Sequence, residues 1–344
     1  MSPLINTILV LSMITGTLIT MNSSHWLLAW LGLEINMMAI VPLISKTHHP
    51  RATEAAIKYF LAQTGASLLM LFASSINAWY LGTWDITQLT NQMSCTLLTI
   101  ALCMKIGLTP MHLWLPEVMQ GTTLKMALII ATWQKLAPMS LILMTSNSHS
   151  KFMLMSMAAL SIVIGGWGGL NQTQLRKIMA YSSIANMGWM VIILQQAPKL
   201  TTLTLIIYII MTTTMFMTLT PQKTKTIKTI GTTWTLSPPL TIITMLTLTS
   251  LGGLPPMTGF MPKWLILETL LLENMTTLAT LTAMATLLSL FFYLRLFYST
   301  TMMVFPNTTN TTQKWRLQTK TMLIMTLTTP TALMLLPILP LMNP

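Results

Sequence analysis

Eleven apolar runs of about twenty residues follow one another along this chain, and they leave no stretch from which a water-soluble domain could be built. Twenty residues is the length at which a helix crosses the roughly 30 Å hydrocarbon core of a bilayer. The runs cover about 3–21, 25–45, 57–80, 93–118, 123–145, 151–169, 174–195, 200–220, 238–272, 275–298 and 322–341. Lipid is the solvent this pattern requires. Only 7% of the residues are charged, against 53% hydrophobic, and the mean hydropathy is +0.67. Soluble domains carry roughly 25% charged residues, so this chain has too few polar groups to cover a globule. The expected fold is an all-α polytopic membrane protein of about eleven transmembrane helices.

The net charge of +12 does not point to nucleic acid, because the basic residues sit in short loops between apolar runs. On the N-terminal side of the membrane the loops carry Lys46, Arg51, Lys58, Lys125, Arg176, Lys177, Lys223, Lys225, Lys228, Lys314, Arg316 and Lys320. On the other side lie Lys151 and Lys199, with Asp85 and Glu273. The basic side is expected to face the compartment of synthesis. The chain begins on an apolar run with no small-residue cleavage site, so the first run is expected to be a spanning helix rather than a cleaved signal.

Two runs are too long for one crossing and are interrupted by proline, at Pro110 and at Pro255-Pro256. Around them the sequence repeats: GLTPMHLWLPE at 107–117 and GLPPMTGFMPK at 253–263 share Gly, Leu, Pro, Met and Pro at an offset of 146 residues. The intervening crossings make the two run in opposite senses. Paired broken segments of opposite sense point to an inverted-repeat transporter architecture. The chain then reads as one membrane domain, 1–344, containing a five-helix repeat at 3–145, a second at 151–298 and an extra helix at 322–341.

Four ionisable residues lie deep in apolar runs: Glu34 in the second, Lys105 in the broken fourth, Lys135 in the fifth and Lys263 in the broken ninth. Each costs roughly 2.5–3.5 kcal/mol at a helix centre even on the mildest insertion scale. They are retained only if they face a hydrated or paired interior. Desolvation disfavours the charged form of both residue types, which brings their protonation within reach of neutral pH. A carboxylate and three lysines spread over both repeats therefore read as a proton relay. Lys105 and Lys263 have a second reading, as caps on the free carbonyls of their broken helices. Lys135 and Glu34 have one as a static ion pair. Pro138 and Pro110 weaken the helices beside Lys135 and Lys105. His112, beyond the first break, is a further relay candidate because imidazole titrates near neutrality; a hydrogen-bonding histidine is the alternative. Ser182, Ser183 and Asn186 form a polar stripe suited to water or to helix–helix hydrogen bonds.

Other features exclude chemistry. Cys95 and Cys103 are eight residues apart in one run, about 12 Å on a helix, too far for a disulfide and too few for an iron–sulfur cluster. The glycines at 165, 166, 168 and 169 lack the strand and spacing of a dinucleotide site and suit close helix packing. His48-His49 sits in a basic loop and makes a poor metal site. The 33 methionines are scattered apolar filling. No metal site is expected.

Four segments together carry a family resemblance: RATEAAIKYF (51–60), MKIGLTPMHLWLPEVMQG (104–121), LNQTQLRKIMAYSSIANMGWM (170–190) and GGLPPMTGFMPKW (252–264). They resemble the subunit 2 family of animal mitochondrial NADH:ubiquinone oxidoreductase, respiratory complex I. The resemblance covers nearly the whole chain and implies an antiporter-like, proton-translocating subunit of the membrane arm. It maps the family's membrane glutamate onto Glu34 and its lysines onto Lys105, Lys135 and Lys263. It implies no cofactor on this chain, since NADH, FMN, iron–sulfur clusters and ubiquinone belong to the complex as a whole. The implied partners are other membrane-arm subunits, other antiporter-like subunits among them, and lipids, with no nucleic acid. The implied place is the mitochondrial inner membrane, with the N-terminus on the matrix side and the C-terminus on the intermembrane-space side. Many relatives carry histidine where this chain has Asn186, which cannot titrate.

Overall fold

The computed structural model of the chain describes residues 2–46, 48–222, 224–301 and 323–338. They are helical almost throughout: α1 (Pro3–Asn22), α2 (Trp26–Ser45), α3 (Pro50–Leu81), α4 (Gln92–Ile106), α5 (Trp114–Gly121), α6 (Leu124–Ala131), α7 (Trp133–Met144), α8 (Lys151–Gly169), α9 (Leu175–Ile192), α10 (Pro198–Gln222), α11 (Ile227–Gly231), α12 (Thr233–Leu236), α13 (Pro238–Gly252), α14 (Phe260–Leu272), α15 (Thr276–Thr301) and α16 (Leu323–Met334).

Among the described residues, seven stretches are long and apolar enough to cross a membrane unaided: α1, α2, α3, Leu124–Met144, α8, α10 and α15. The other four expected spans have identifiable reasons for falling short. Two are the broken segments, split into α4 with α5 and α13 with α14. The third is α9, which carries Arg176, Lys177, Ser182, Ser183 and Asn186; its serines are buried in protein, so its surface need not suit lipid. The last expected span, 322–341, is described only in part. Lys223 and the charged residues Lys314, Arg316 and Lys320 lie outside the described residues. Large apolar side chains point outward from many helices, with Trp79 88% and Phe152 86% exposed. On a soluble protein such surface would demand a partner; on a bilayer-spanning chain, lipid solvates it.

The chain divides into two compact units, Met1–Ser161 and Ile162–Pro344, with the boundary inside α8. In the first, α1 lies against α2, and a methyl group on Gly16 would come within 2.8 Å of the Gly32 carbonyl oxygen. Helix α3 packs on α2, α4 and α5, while α7 packs on α4 and α1. In the second unit, α10 packs on α9, α13, α14 and α16, and α15 packs on α13 and α14. The glycine cluster of α8 serves close packing here: a Cβ on Gly165 would strike the Ala185 backbone and one on Gly169 the Phe292 ring. His49, expected as a plain loop residue, instead caps α3, its Nδ1 accepting from the Arg51 amide at 3.2 Å.

Each unit contains one broken segment, ended the same way. Gly107 (φ 86°) closes α4 and Gly253 (φ 78°) closes α13, both in the left-handed conformation that a side chain would strain. The amides of Leu108 and Leu254 then turn back onto Cys103 O (2.9 Å) and Thr249 O (3.2 Å). These are corresponding residues of the 146-residue repeat.

The corner between α7 and α8 holds a buried histidine with no counterpart in the sequence reading. His149 is 5% exposed, and its Nε2 lies 2.7 Å from the Thr145 hydroxyl at the end of α7. Burial depresses the imidazole from the usual 6.5 to about 4. The folded state therefore holds fewer protons than the unfolded one between these values, and stability rises with pH across that window. We expect the first unit to be most stable above about pH 6.5 and to lose on the order of 3 kcal/mol as pH falls towards 4. Thermal unfolding measured from pH 4 to 7.5 checks this, and His149→Gln should flatten the profile.

Candidate functional site

A helix that stops inside a membrane leaves its last carbonyls without intrahelical partners, and lipid offers no donor. At the end of α4 three consecutive carbonyls meet three kinds of donor. Cys103 O accepts from the amides of Gly107 and Leu108, both at 2.9 Å. Met104 O accepts from the Trp114 indole at 3.0 Å, and Lys105 O accepts from the Gln63 amide at 3.3 Å. The Lys105 side chain is thus released from the capping role the sequence left open to it. It is buried, 7% exposed, and the Glu34 carboxylate acts on it electrostatically. Glu34 itself accepts a hydrogen bond from the Ser67 hydroxyl. No direct ion pair joins Glu34 to Lys105 among the described residues, so the two are coupled through space.

The second break is completed differently. Lys263, in the first turn of α14, reaches back across the gap and donates to Gly252 O at 2.8 Å. An ammonium at a helix C-terminus meets both unsatisfied carbonyls and the negative end of the helix dipole. Here the capping reading of the lysine holds. At the 146-residue offset Lys105 corresponds to Leu251 and Lys263 to Glu117. The repeat therefore carries the hinge but not the charge. Glu117 stands at the surface, 2.7 Å from Lys58, which also pairs with Glu54 at 2.5 Å. Exposed pairs of this kind contribute little to stability, because water screens them.

Lys135 is 3% exposed and lies in the first turn of α7, just beyond a break at Thr132. The Thr132 hydroxyl bonds Leu128 O at 2.8 Å, which helps end α6. Pro138 has no N–H to offer the Gln134 carbonyl one turn back, so the turn carrying Lys135 lacks a helical bond. A side-chain chain crosses that turn: Tyr59 Oη donates to Gln134 Oε1 (3.1 Å), and Gln134 Nε2 donates to Asn36 Oδ1 (2.8 Å). His112 is buried in the loop of the first broken segment, its Nδ1 3.2 Å from Pro110 O.

Around Lys263 the second unit holds a cavity of about 30 Å³, lined by Asn186, Thr204, Tyr208, Gly259, Pro262 and Lys263 among others. That is room for about one water molecule. The polar stripe of α9 is held by tyrosines from two neighbouring helices. Tyr293 stands beside Ser182 and Asn186, and Tyr208 beside Ser183. Among the described residues the Asn186 amide nitrogen has no partner. The structure thus assembles Glu34, Ser67, Gln63 and Lys105 in one unit and Lys263, Tyr208 and Asn186 in the other.

Residues 23–289 match the family model described as NADH:quinone oxidoreductase/Mrp antiporter, TM, and residues 290–343 match that of the NADH dehydrogenase subunit 2 C-terminus. The chain belongs to this family. It is 54% identical over 230 residues to the NADH-ubiquinone oxidoreductase chain 2 of Salmo salar and 57% identical over 226 residues to that of Varanus melinus. Those alignments cover 67% and 65% of this chain and 66% of each relative's length. The fold is that of a chain in respiratory complex I from Thermus thermophilus with bound aureothin. The TM-score is 0.84 at 24% identity, over 98% of this chain and 79% of that one.

Within this antiporter-like fold, the residues that sequence reading passed over are neutral: Asn36, Tyr59, Gln63, Ser67, Trp114, Gln134, Tyr208 and Tyr293. One signal was available. Tyr59, Gln63 and Ser67 recur at every fourth position of α3, a polar stripe along one face of the helix. Arg295, near the end of the tenth run, donates to Leu170 O at 2.8 Å and closes the end of α8.

Trp114→Phe keeps an aromatic ring against Tyr59 but removes the donor to Met104 O. Leaving that buried carbonyl unpaired should destabilise the first unit by about 1–3 kcal/mol, read as a lower thermal-unfolding midpoint than wild type.

Proposed function

We infer that the chain is an antiporter-like membrane-arm subunit of a proton-translocating NADH:ubiquinone oxidoreductase in the mitochondrial inner membrane. NADH oxidation and quinone reduction take place in other subunits, with their FMN and iron–sulfur clusters. The observation that carries this reading is the burial of Lys105 and Lys135 inside a membrane domain whose carboxylate, Glu34, is coupled to Lys105 through space. The names of the relatives and the family match support it. Other membrane-arm subunits, antiporter-like ones among them, and lipids cover the exposed apolar helices. The basic loops support an orientation with the N-terminus on the matrix side and the C-terminus in the intermembrane space.

In this mechanism Glu34 and Lys105 form the input pair. A change in the electric field from a neighbouring subunit alters the balance between them, and that alters the free energy of a proton on Lys135. Charges in an interior of low dielectric interact more strongly than in water, so a small change in their balance alters a protonation equilibrium. Lys135 passes its proton through internal water, and Lys263 exchanges it with the exit side. Lys263 moves between the α13 carbonyl end and the water space beside Asn186 and Tyr208. His112, in the loop of the first break, extends the path. Each step is a proton moving between a lysine nitrogen and water. The free energy comes from electron transfer elsewhere, by biasing two charge states of one network.

A self-sufficient Na⁺/H⁺ antiporter would have the same fold. The two readings separate in vesicles. The assembled complex should acidify the vesicle lumen on NADH addition, and the purified chain alone should leave imposed Na⁺ and H⁺ gradients intact. Rapid exchange of an imposed gradient by the isolated chain would identify an independent antiporter.

A further inference from the structure

Three polar side chains on one face of α3 each touch a different part of the charged site. They are Tyr59, Gln63 and Ser67, spaced four residues and so about 6 Å apart along the helix. All are buried, at 2%, 7% and 1% exposure. Ser67 donates to the Glu34 carboxylate on α2. Gln63 donates to Lys105 O at the broken end of α4. Tyr59 donates to Gln134, which precedes Lys135 on α7 and donates onward to Asn36, again on α2. One helix thus holds, in order, the carboxylate, the turn that carries the first lysine and the turn that carries the second.

We propose that the Tyr59–Gln63–Ser67 face of α3 is a positioning element that fixes Glu34, Lys105 and Lys135 relative to one another. This rests on the reading of those three residues as the proton-handling groups. The physical case is that two of the three elements it grips cannot hold themselves. The end of α4 lacks helical partners beyond Gly107, and the first turn of α7 lies between the Thr132 break and Pro138. Both turns are soft, and both carry a lysine whose Coulomb interaction with its surroundings varies steeply with distance. The grip on α3 converts these soft turns into fixed ones. Towards the N-terminal end of the helix Lys58 bridges Glu54 of α3 and Glu117 of α5. A shift of α3 along its axis would move all three charged groups together, which is how a neighbouring subunit pressing on α3 could act on them as a unit. None of the three residues transfers a proton; each acts through the residue it holds.

The test uses the assembled oxidoreductase in vesicles, with assembly verified for every variant. Tyr59→Phe, Gln63→Leu and Ser67→Ala each remove one bond while keeping shape. NADH-driven proton pumping is measured from pH 6 to 9. Ser67→Ala should move the pH profile of pumping by about one unit, since a hydrogen bond to a charged group is worth about that much. Ser67→Thr should restore the wild-type profile. Tyr59→Phe and Gln63→Leu should lower the rate of coupled pumping several-fold. In a Glu34→Gln background, Ser67→Ala should add nothing, because the group it acts through is gone. Additive effects in that background, or wild-type profiles in all three variants, would overturn the proposal. Failure of the underlying reading shows separately, as unchanged pumping in Glu34→Gln alone.

Discussion

A carbonyl freed inside a bilayer must find a donor, and this requirement organises the molecule. Breaking a helix in hydrocarbon costs several kcal/mol for every polar group left bare, so a broken segment survives only where protein or water completes it. The two breaks here are completed by opposite means. At the end of α4, backbone amides, an indole and a glutamine satisfy Cys103, Met104 and Lys105, and the lysine side chain is released. At the end of α13 the lysine itself is the donor to Gly252. The same Gly-Leu-x-Pro hinge therefore produces one lysine free to respond to Glu34 and one held at a helix terminus beside a water-sized cavity.

This difference gives the lysines distinct physical characters. Lys105 is buried and feels the Glu34 carboxylate through space, so its state follows small movements of α2 and α3. Lys263 is tied to a helix end, and proton exchange there requires the ammonium to leave one carbonyl for water. Lys135 stands between two weak points in its helix, where Pro138 denies Gln134 O its partner. A rigid uninterrupted bundle would bury these charges with no means of altering their energies. A bundle with loose breaks would not hold them. The neutral side chains of α3, α5 and α7 supply the intermediate case, with defects in the helices bridged by directional hydrogen bonds.

The fold was legible in the sequence where lipid dictates it. The apolar runs, the basic loops and the Gly-Pro interruptions each follow from one-dimensional rules, and the described helices lie where the apolar runs put them. Helix α9 shows the limit of hydropathy alone, since a span surrounded by other helices is free to carry Ser182, Ser183 and Asn186. The four central charges were visible because an ion in an apolar run has no cheap explanation. Their settings were not visible. Whether Lys105 capped its own helix depended on Trp114 and Gln63, residues nine and forty-two positions away, and no local pattern encodes that pairing. His149 carried no signal in the sequence because burial at a helix corner is a property of packing. The internal repeat was a true guide to the backbone and a poor one to the chemistry, since it aligns Lys263 with an exposed glutamate.

The account stands on Lys135 being a working proton carrier rather than a static buried cation. The direct measurement is the number of protons pumped per electron, with coupled turnover, in vesicles of the assembled complex carrying Lys135→Met. Methionine keeps the length and apolar stem of the side chain and removes only the titratable nitrogen. The account predicts a fully assembled complex that loses pumping or coupled turnover. Wild-type protons per electron at a wild-type rate would contradict it and leave the buried lysine with a purely structural role.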